Sequence, residues 1–143
     1  MLTRRPASEA DTDFARDAHH LAVRDVVERQ FGSWDADQQD EFFQNDWSGA
    51  EFEVLLWDDL PCGYVAIEER DDVHIRELVI HPDFQGHGIG TAVVLDAVAR
   101  ARAKRVPTVL GTLHENRAAE LYRRLGFVEY GRTETHTLFR LDS

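Results

Sequence analysis

A chain of 143 residues, 43% hydrophobic and 30% charged, is long enough for one folded domain with a core and too apolar to be disordered. Its formal net charge of -11 argues against a nucleic-acid groove, which needs a basic stripe, and is compatible with a cationic substrate. One cysteine, Cys62, excludes an internal disulfide and any multi-cysteine metal site, and no run approaches the roughly 20 apolar residues of a membrane helix.

Thr3-Arg4-Arg5 reads as a short first strand ended by Pro6, with no apolar segment after it that would make a signal peptide. Ser8 or Asp11 can cap a helix running to about Arg29. Phe14, Ala18, Leu21, Val23, Val26 and Val27 lie at mostly helical spacing along it, and Phe31-Gly32 closes it. Ser33 or Asp35 opens a second helix, through Phe42 and Phe43 to Asp46 or Trp47, before a turn at Ser48-Gly49. Residues 52–57 form a strand, 58–61 carry turn chemistry, and 62–68 pair back as a hairpin. After a turn at 70–72, residues 73–81 make a fourth strand.

A helix over 91–105 is expected to bury Val94, Leu95, Val98 and Ala101 and to expose Asp96, Arg100, Arg102 and Lys104. Its basic residues sit toward the C-terminus, where the helix dipole favours them. Pro107 ends the connection. Residues 108–113 form a fifth strand, reached through a helix and therefore parallel to the fourth. Asn116 begins a short helix over 117–125, stopped by Gly126-Phe127, and 128–132 with 137–141 can form a closing hairpin.

Two stretches carry chemistry. The first is Glu77-Leu78-Val79-Ile80 followed by His81-Pro82-Asp83-Phe84 and then Gln85-Gly86-His87-Gly88-Ile89-Gly90-Thr91. Strand, glycine-rich turn and helix together present unpartnered amides and the positive end of a helix dipole to an anion. A P-loop requires a lysine that Gly90-Thr91-Ala92 lacks, and the dinucleotide fingerprint fails because its third glycine falls on Thr91 or Val93. Gln85, Gly88 and Gly90 do match the spacing Gln/Arg-x-x-Gly-x-Gly/Ala; a β–α turn that binds nothing is the alternative. The second stretch runs from His114-Glu115-Asn116-Arg117 through Leu121-Tyr122 to Gly126-Phe127.

In this order, separated by a helix and a strand, the two stretches resemble the motif-bearing part of GNAT-type N-acetyltransferases, over roughly residues 73–128. The resemblance implies one N-acetyltransferase domain over 1–143 with an α/β fold: a central mixed sheet of about seven strands, flanked by helices and splayed between the fourth and fifth. It implies acetyl-CoA as co-substrate, with the backbone of Leu78, Val79 and Ile80 pairing with the pantetheine amides. Gln85, Gly86, His87, Gly88, Ile89, Gly90 and Thr91 would hold the pyrophosphate, Asn116 would contact the cofactor arm, and Tyr122 would face the thioester sulfur. Arg117, Arg123 and Arg124 would meet the 3′-phosphate or form a solvated helix face. Glu77 is the first choice of general base, with His74, His114 beside Glu115, or water as alternatives.

The implied acceptor is a primary amine of a small molecule or peptide, with no nucleic acid, membrane or metal, in a cytoplasmic setting compatible with a homodimer. Acceptor contacts would come from the first two helices and the hairpin loops. Trp34, Phe42, Phe43 and Trp47 offer aromatic surface there, and Asp46, Glu51, Asp58 and Asp59 offer negative charge, unless the aromatics are core and the acids surface. A CoA-binding regulatory module without turnover is the rival to catalysis. Adjacent His19-His20 cannot share a helix face as metal ligands.

Overall fold

The computed structural model describes residues 1–143. Seven strands are present: β1 (Leu2–Pro6), β2 (Glu53–Trp57), β3 (Leu60–Glu69), β4 (Val73–Ile80), β5 (Thr108–Leu113), β6 (Val128–Arg132) and β7 (His136–Leu141). Four helices accompany them: α1 (Thr12–Phe31), α2 (Ala36–Ser48), α3 (Ile89–Lys104) and α4 (Ala118–Arg124). The strands form one mixed sheet in the order β1-β2-β3-β4-β5-β7-β6. Its parallel pair, β4 with β5, registers Val73 with Thr108, His74 with Val109 and Ile75 with Leu110 and ends there. The mixed α/β architecture with helices on a seven-stranded sheet is the one the sequence predicts.

The chain divides into two compact units, Met1–Ala66 with Glu77–Gly90, and Ile67–Arg76 with Thr91–Ser143. In the first, β1 pairs antiparallel with β2 and β2 with β3. Asp58 and Asp59 join β2 to β3 at positive φ (48° and 68°), the two-residue turn whose twist matches a hairpin, and aspartate tolerates that region better than most side chains. Strand β3 therefore starts at Leu60, two residues before the expected Cys62. Ser8 donates its N–H to Asp11 Oδ2 (2.8 Å), forming a 3-10 turn over Glu9–Asp11 before α1, and Arg5 grips the same carboxylate with two bonds of 2.9 and 2.8 Å. Gly32, at φ 86°, stops α1 with its N–H on Glu28 O, and the Asp35 side chain caps α2 by accepting from Gln38 N–H. Ala15, Ala18, Phe43, Phe52, Tyr64, Ala66 and Val79 form the core of this unit.

Strand β3 approaches the end of β4 very closely. A Cβ on Gly63 would lie 2.2 Å from Val79 O, and His81 N–H donates to Cys62 O at 2.8 Å. Only glycine fits there.

In the second unit, β5 pairs with β7 over six residues and β6 with β7, closing with an antiparallel hairpin. Helix α3 buries Val93, Val94, Ala97, Val98 and Ala101. Leu95, expected in that core, is instead 49% exposed, and on α1 Leu21 is 59% exposed. Ala15 and Ala18 take the buried stripe on α1, because a helix packed closely on a sheet places small residues nearest to it. Helix α3 begins at Ile89, two residues before the expected Thr91, because the Ile89 side chain is buried and anchors the first turn.

Two predictions follow from the first unit's packing. Gly63→Ala is expected to destabilise the protein by about 3 kcal/mol, since backbone and not a flexible side chain must yield; its denaturation midpoint measures this. The Arg5 guanidinium holds the Asp11 carboxyl at about 2, below the usual range. The bonus is present above the unfolded carboxyl's titration and lost as pH falls from about 4 toward 2. Asp11→Asn should thus cost on the order of 1–2 kcal/mol at pH 7 and flatten the fall in stability over that window, read by urea unfolding at stepped pH.

Candidate active site

The glycine turn lies at the end of the first unit. His81 N-caps a 3-10 turn over Pro82–Phe84, accepting at Nδ1 from Asp83 N–H, while its ring stacks on Phe14 at 6.1 Å. Gln85 then faces back: its N–H donates to Pro82 O, and its side-chain Nε2 donates to Ile80 O at 3.1 Å. The Gln85 side chain thus ties the start of the loop to the end of β4. Ile80 O keeps a second lone pair.

After Gln85 the chain opens. Gly86 and Gly88 sit at φ 87° and 74°, where side chains are strained, with nothing within 4 Å of a Cβ on either. The amides of Gly86, His87 and Gly88 make no loop or turn bond, and α3 starts at Ile89, so the next amides belong to an unpartnered first helical turn. Residues 85–88 are exposed. This is a run of open donors with a helix dipole behind it and no lysine or arginine within it, which suits a diphosphate held mainly by backbone. The exposed His87 ring lies 5.7 Å from Trp57.

Glu77 is half-buried on β4, in phase with Val79, and accepts a 3.3 Å hydrogen bond from the Tyr64 hydroxyl. Tyr64 is 1% exposed. Its ring meets those of Trp47, Phe52 and Phe43 in T-shaped contacts at 5.5, 5.4 and 6.5 Å. Burial first, then the Glu77 charge, pushes the Tyr64 hydroxyl well above its usual titration. Trp47 and Phe52, stacked at 4.8 Å, also wall a cavity of about 300 Å³ lined by residues 7–9 and 50–52, with Glu9 and Glu51 at its surface. The aromatics named from the sequence therefore divide: Phe43 is core, Phe42 is exposed, and Trp47 faces both the core and the cavity.

The rings of His19 and His20 touch. Their Nδ1 atoms lie 2.9 Å apart and His20 Nε2 is 2.6 Å from Asp40 Oδ1, joining α1 to α2. Burial holds His19 down to about 4, so it is neutral at physiological pH. The sequence contains no signal for this contact beyond the dipeptide, since two consecutive side chains leave a helix about 100° apart and only their χ rotations bring the rings together.

The second unit carries the other named residues. Asn116 Oδ1 accepts from Ala118 N–H at 2.9 Å and so starts α4, leaving its NH2 group as a donor. Tyr122, half-buried on α4, packs on Phe127 and Phe139 at 5.9 and 6.1 Å, and burial raises its hydroxyl's titration. His114 is fully engaged: Nδ1 with Thr137 Oγ1 at 2.8 Å, and Nε2 with the carbonyls of Thr133 and Glu134 at 3.0 and 3.1 Å. An imidazole donating to two carbonyls and accepting a hydroxyl has no lone pair left for proton abstraction. Arg123 lies over the Phe139 ring at 5.3 Å and near Glu129. His74 is half-buried on β4, out of phase with Val73 and Ile75. Tyr64 is the functional candidate that sequence reasoning missed; its one signal is its place between Cys62 and Ala66 on a strand, which marks burial but not its partner 13 residues away.

A family model described as the acetyltransferase (GNAT) family matches residues 20–127. An N-acetyltransferase of Methanocaldococcus jannaschii is 38% identical over 79 residues, which is 48% of this chain and 35% of that protein. Mycothiol acetyltransferase of Acidothermus cellulolyticus is 40% identical over 80 residues, 52% of this chain and 24% of that protein. The matches thus span about a third and a quarter of these relatives' own lengths. The crystal structure of PaiA N-acetyltransferase from Thermoplasma acidophilum in complex with coenzyme A superposes with a TM-score of 0.76, at 13% identity, over 100% of this chain and 99% of that one.

The glycines separate by conformation. Gly88→Ala should cost about 1 kcal/mol from its left-handed backbone alone. Gly90→Ala, inside the first turn of α3 with its nearest neighbour at 3.9 Å, should be neutral or gain up to about 1 kcal/mol. Paired denaturant titrations of the two variants check the opposite signs.

Proposed function

The chain belongs to the acetyltransferase (GNAT) family, and from that premise we propose that it moves an acetyl group from acetyl-CoA to a primary amine of a small molecule or peptide. Residues 1–143 then act as one N-acetyltransferase domain in the cytoplasm. The observation that carries this reading is the turn at Gly86 and Gly88, whose left-handed backbone leaves a run of amides open ahead of α3. An enzyme-wide acidic charge of -11 makes such a backbone cradle necessary for an anionic co-substrate, because no basic patch is available in the loop.

Acetyl-CoA supplies the acetyl group and a thiolate leaving group. Residues 86–91 hold its pyrophosphate through backbone N–H groups. Leu78, Val79 and Ile80 pair with the pantetheine amides in the manner of an added strand, and the Asn116 NH2 group donates to the same arm. The amine nitrogen attacks the thioester carbonyl, the C–S bond breaks, and the nitrogen loses one proton as the sulfur takes up negative charge. A lysine-like amine titrates near 10.4, so about one molecule in 10³ is neutral at pH 7, a cost of about 4–5 kcal/mol. Glu77, directly or through a water, accepts that proton. No helix is long and apolar enough to cross a membrane.

Tyr122 donates a hydrogen bond to the sulfur. A thiol titrates near 8.5 and an ordinary tyrosine near 10, so full proton transfer is uphill by about 2 kcal/mol before burial raises it further. Donation without transfer is the cheaper course. The cavity beside Trp47 and Phe52, with Glu9 and Glu51 at its surface, supports an acceptor that carries positive charge.

Tyr122→Phe is expected to lower kcat by about tenfold or more while acetyl-CoA affinity stays within about twofold. Free-thiol release across an amine panel, with acetyl-CoA binding by calorimetry, measures both. An unchanged kcat removes Tyr122 from the mechanism, and absent thiol release with intact binding turns the reading to a regulatory CoA-binding module.

A further inference from the structure

We propose that Tyr64 is a positioning residue for the acyl transfer: its hydroxyl orients the Glu77 carboxylate and holds it ionised as the acceptor of the amine's proton. The inference rests on the reading of Glu77 as the base. Geometry carries it. The hydroxyl donates to Glu77 Oε1 at 3.3 Å, from a ring that is 1% exposed. Three aromatic rings, from Phe43, Trp47 and Phe52, fix that ring, and they come from α2 and from the chain entering β2. A ring this buried and packed against three others has few rotamers open to it, so its hydroxyl constrains one oxygen of Glu77.

Direction of charge follows from the donor's own titration. Burial and the neighbouring Glu77 charge keep the Tyr64 phenol protonated throughout the working range, and Asp46 on α2 adds to the same effect. A neutral donor facing a carboxylate favours its ionised form and lowers its titration. Other titratable groups surround this box. On α1, His19 touches Phe43, is neutral, and is tied to His20, which in turn meets Asp40 of α2. On β4, Arg76 precedes Glu77 and pairs with Glu68 at 3.2 Å, while His74 lies out of phase. On β3, Cys62 is a buried thiol in phase with Tyr64, shifted up by burial and so neutral.

The bond serves position at some expense of basicity. An unheld carboxylate would be the stronger base but would spend its time in other rotamers, and proton abstraction needs contact distance first.

Tyr64→Phe tests this, since it keeps the ring and its three neighbours and removes one oxygen. The 13C shift of the Glu77 carboxyl is followed across pH in the wild type and the variant, alongside the pH dependence of kcat/KM, with Glu77→Gln as reference. Loss of the hydroxyl should raise the Glu77 midpoint, and with it the acid limb of the rate profile, by about half to one pH unit. Binding of acetyl-CoA should be unchanged. A purely structural tyrosine would alter the melting temperature and leave both midpoints in place, and that outcome overturns the proposal while the base reading stands. Retention of the acid limb in Glu77→Gln overturns the base reading itself, and the role of Tyr64 falls with it.

Discussion

At residue 63 the chain carries no side chain because the Val79 carbonyl occupies the place of one. That close approach of β3 to the end of β4 sets what the first unit can present. One residue on from Gly63 comes Tyr64, directed into the aromatic core, and two residues before Val79 comes Glu77, which the Tyr64 hydroxyl reaches. Two residues after Val79 comes His81, whose N–H is held by Cys62 O, and from His81 the chain turns into the glycine loop. A candidate base, its hydrogen-bond donor and a candidate anion cradle are all anchored within a few residues of one backbone contact. Rigid strands position such groups better than loops do, because backbone pairing leaves them few other conformations.

Most of the order of elements was legible, because it follows from local signals: apolar alternation, glycine stops, the Ser8–Asp11 turn ahead of α1 and the Asp35 cap of α2. The glycine turn after Gln85 was legible for the same reason: Gly86 and Gly88 do adopt the left-handed region, whereas Gly90 lies inside the first turn of α3. The Gln85 side chain was not legible in the same way; its bond to Ile80 O is a choice of rotamer that spacing leaves open. Exposed Leu21 and Leu95 mark where periodicity misled. A leucine at roughly helical spacing counts the same as an alanine in the pattern, yet the tightest seams on α1 went to Ala15 and Ala18.

Non-local contacts were the least legible. Tyr64 and Glu77 are ordinary strand residues read one at a time, and nothing in either position names the other. The His19–His20–Asp40 link and the cavity at residues 7–9 and 50–52 likewise join segments separated by twenty or more residues. His114 shows the converse. Its place at the end of the fifth strand suggested a free base, whereas three partners from the β6–β7 connection and β7 use both of its nitrogens. Reactivity depends on which lone pairs remain, and that is settled by chain segments arriving from elsewhere.

Two tyrosines, Tyr64 buried and Tyr122 half-buried, divide the proposed chemistry between them. Burial raises the titration of both, so neither ionises near neutral pH and each is confined to donating a hydrogen bond. Tyr64 has a partner in place, the Glu77 carboxylate, whereas the Tyr122 hydroxyl makes no hydrogen bond within the protein. A donor already satisfied costs nothing to keep buried and serves to hold a charge that exists throughout the cycle. A half-buried hydroxyl with no protein partner to give up can turn to a charge that appears only during reaction. On this argument Tyr64 belongs on the side where the proton leaves the amine, and Tyr122 belongs where the thiolate develops.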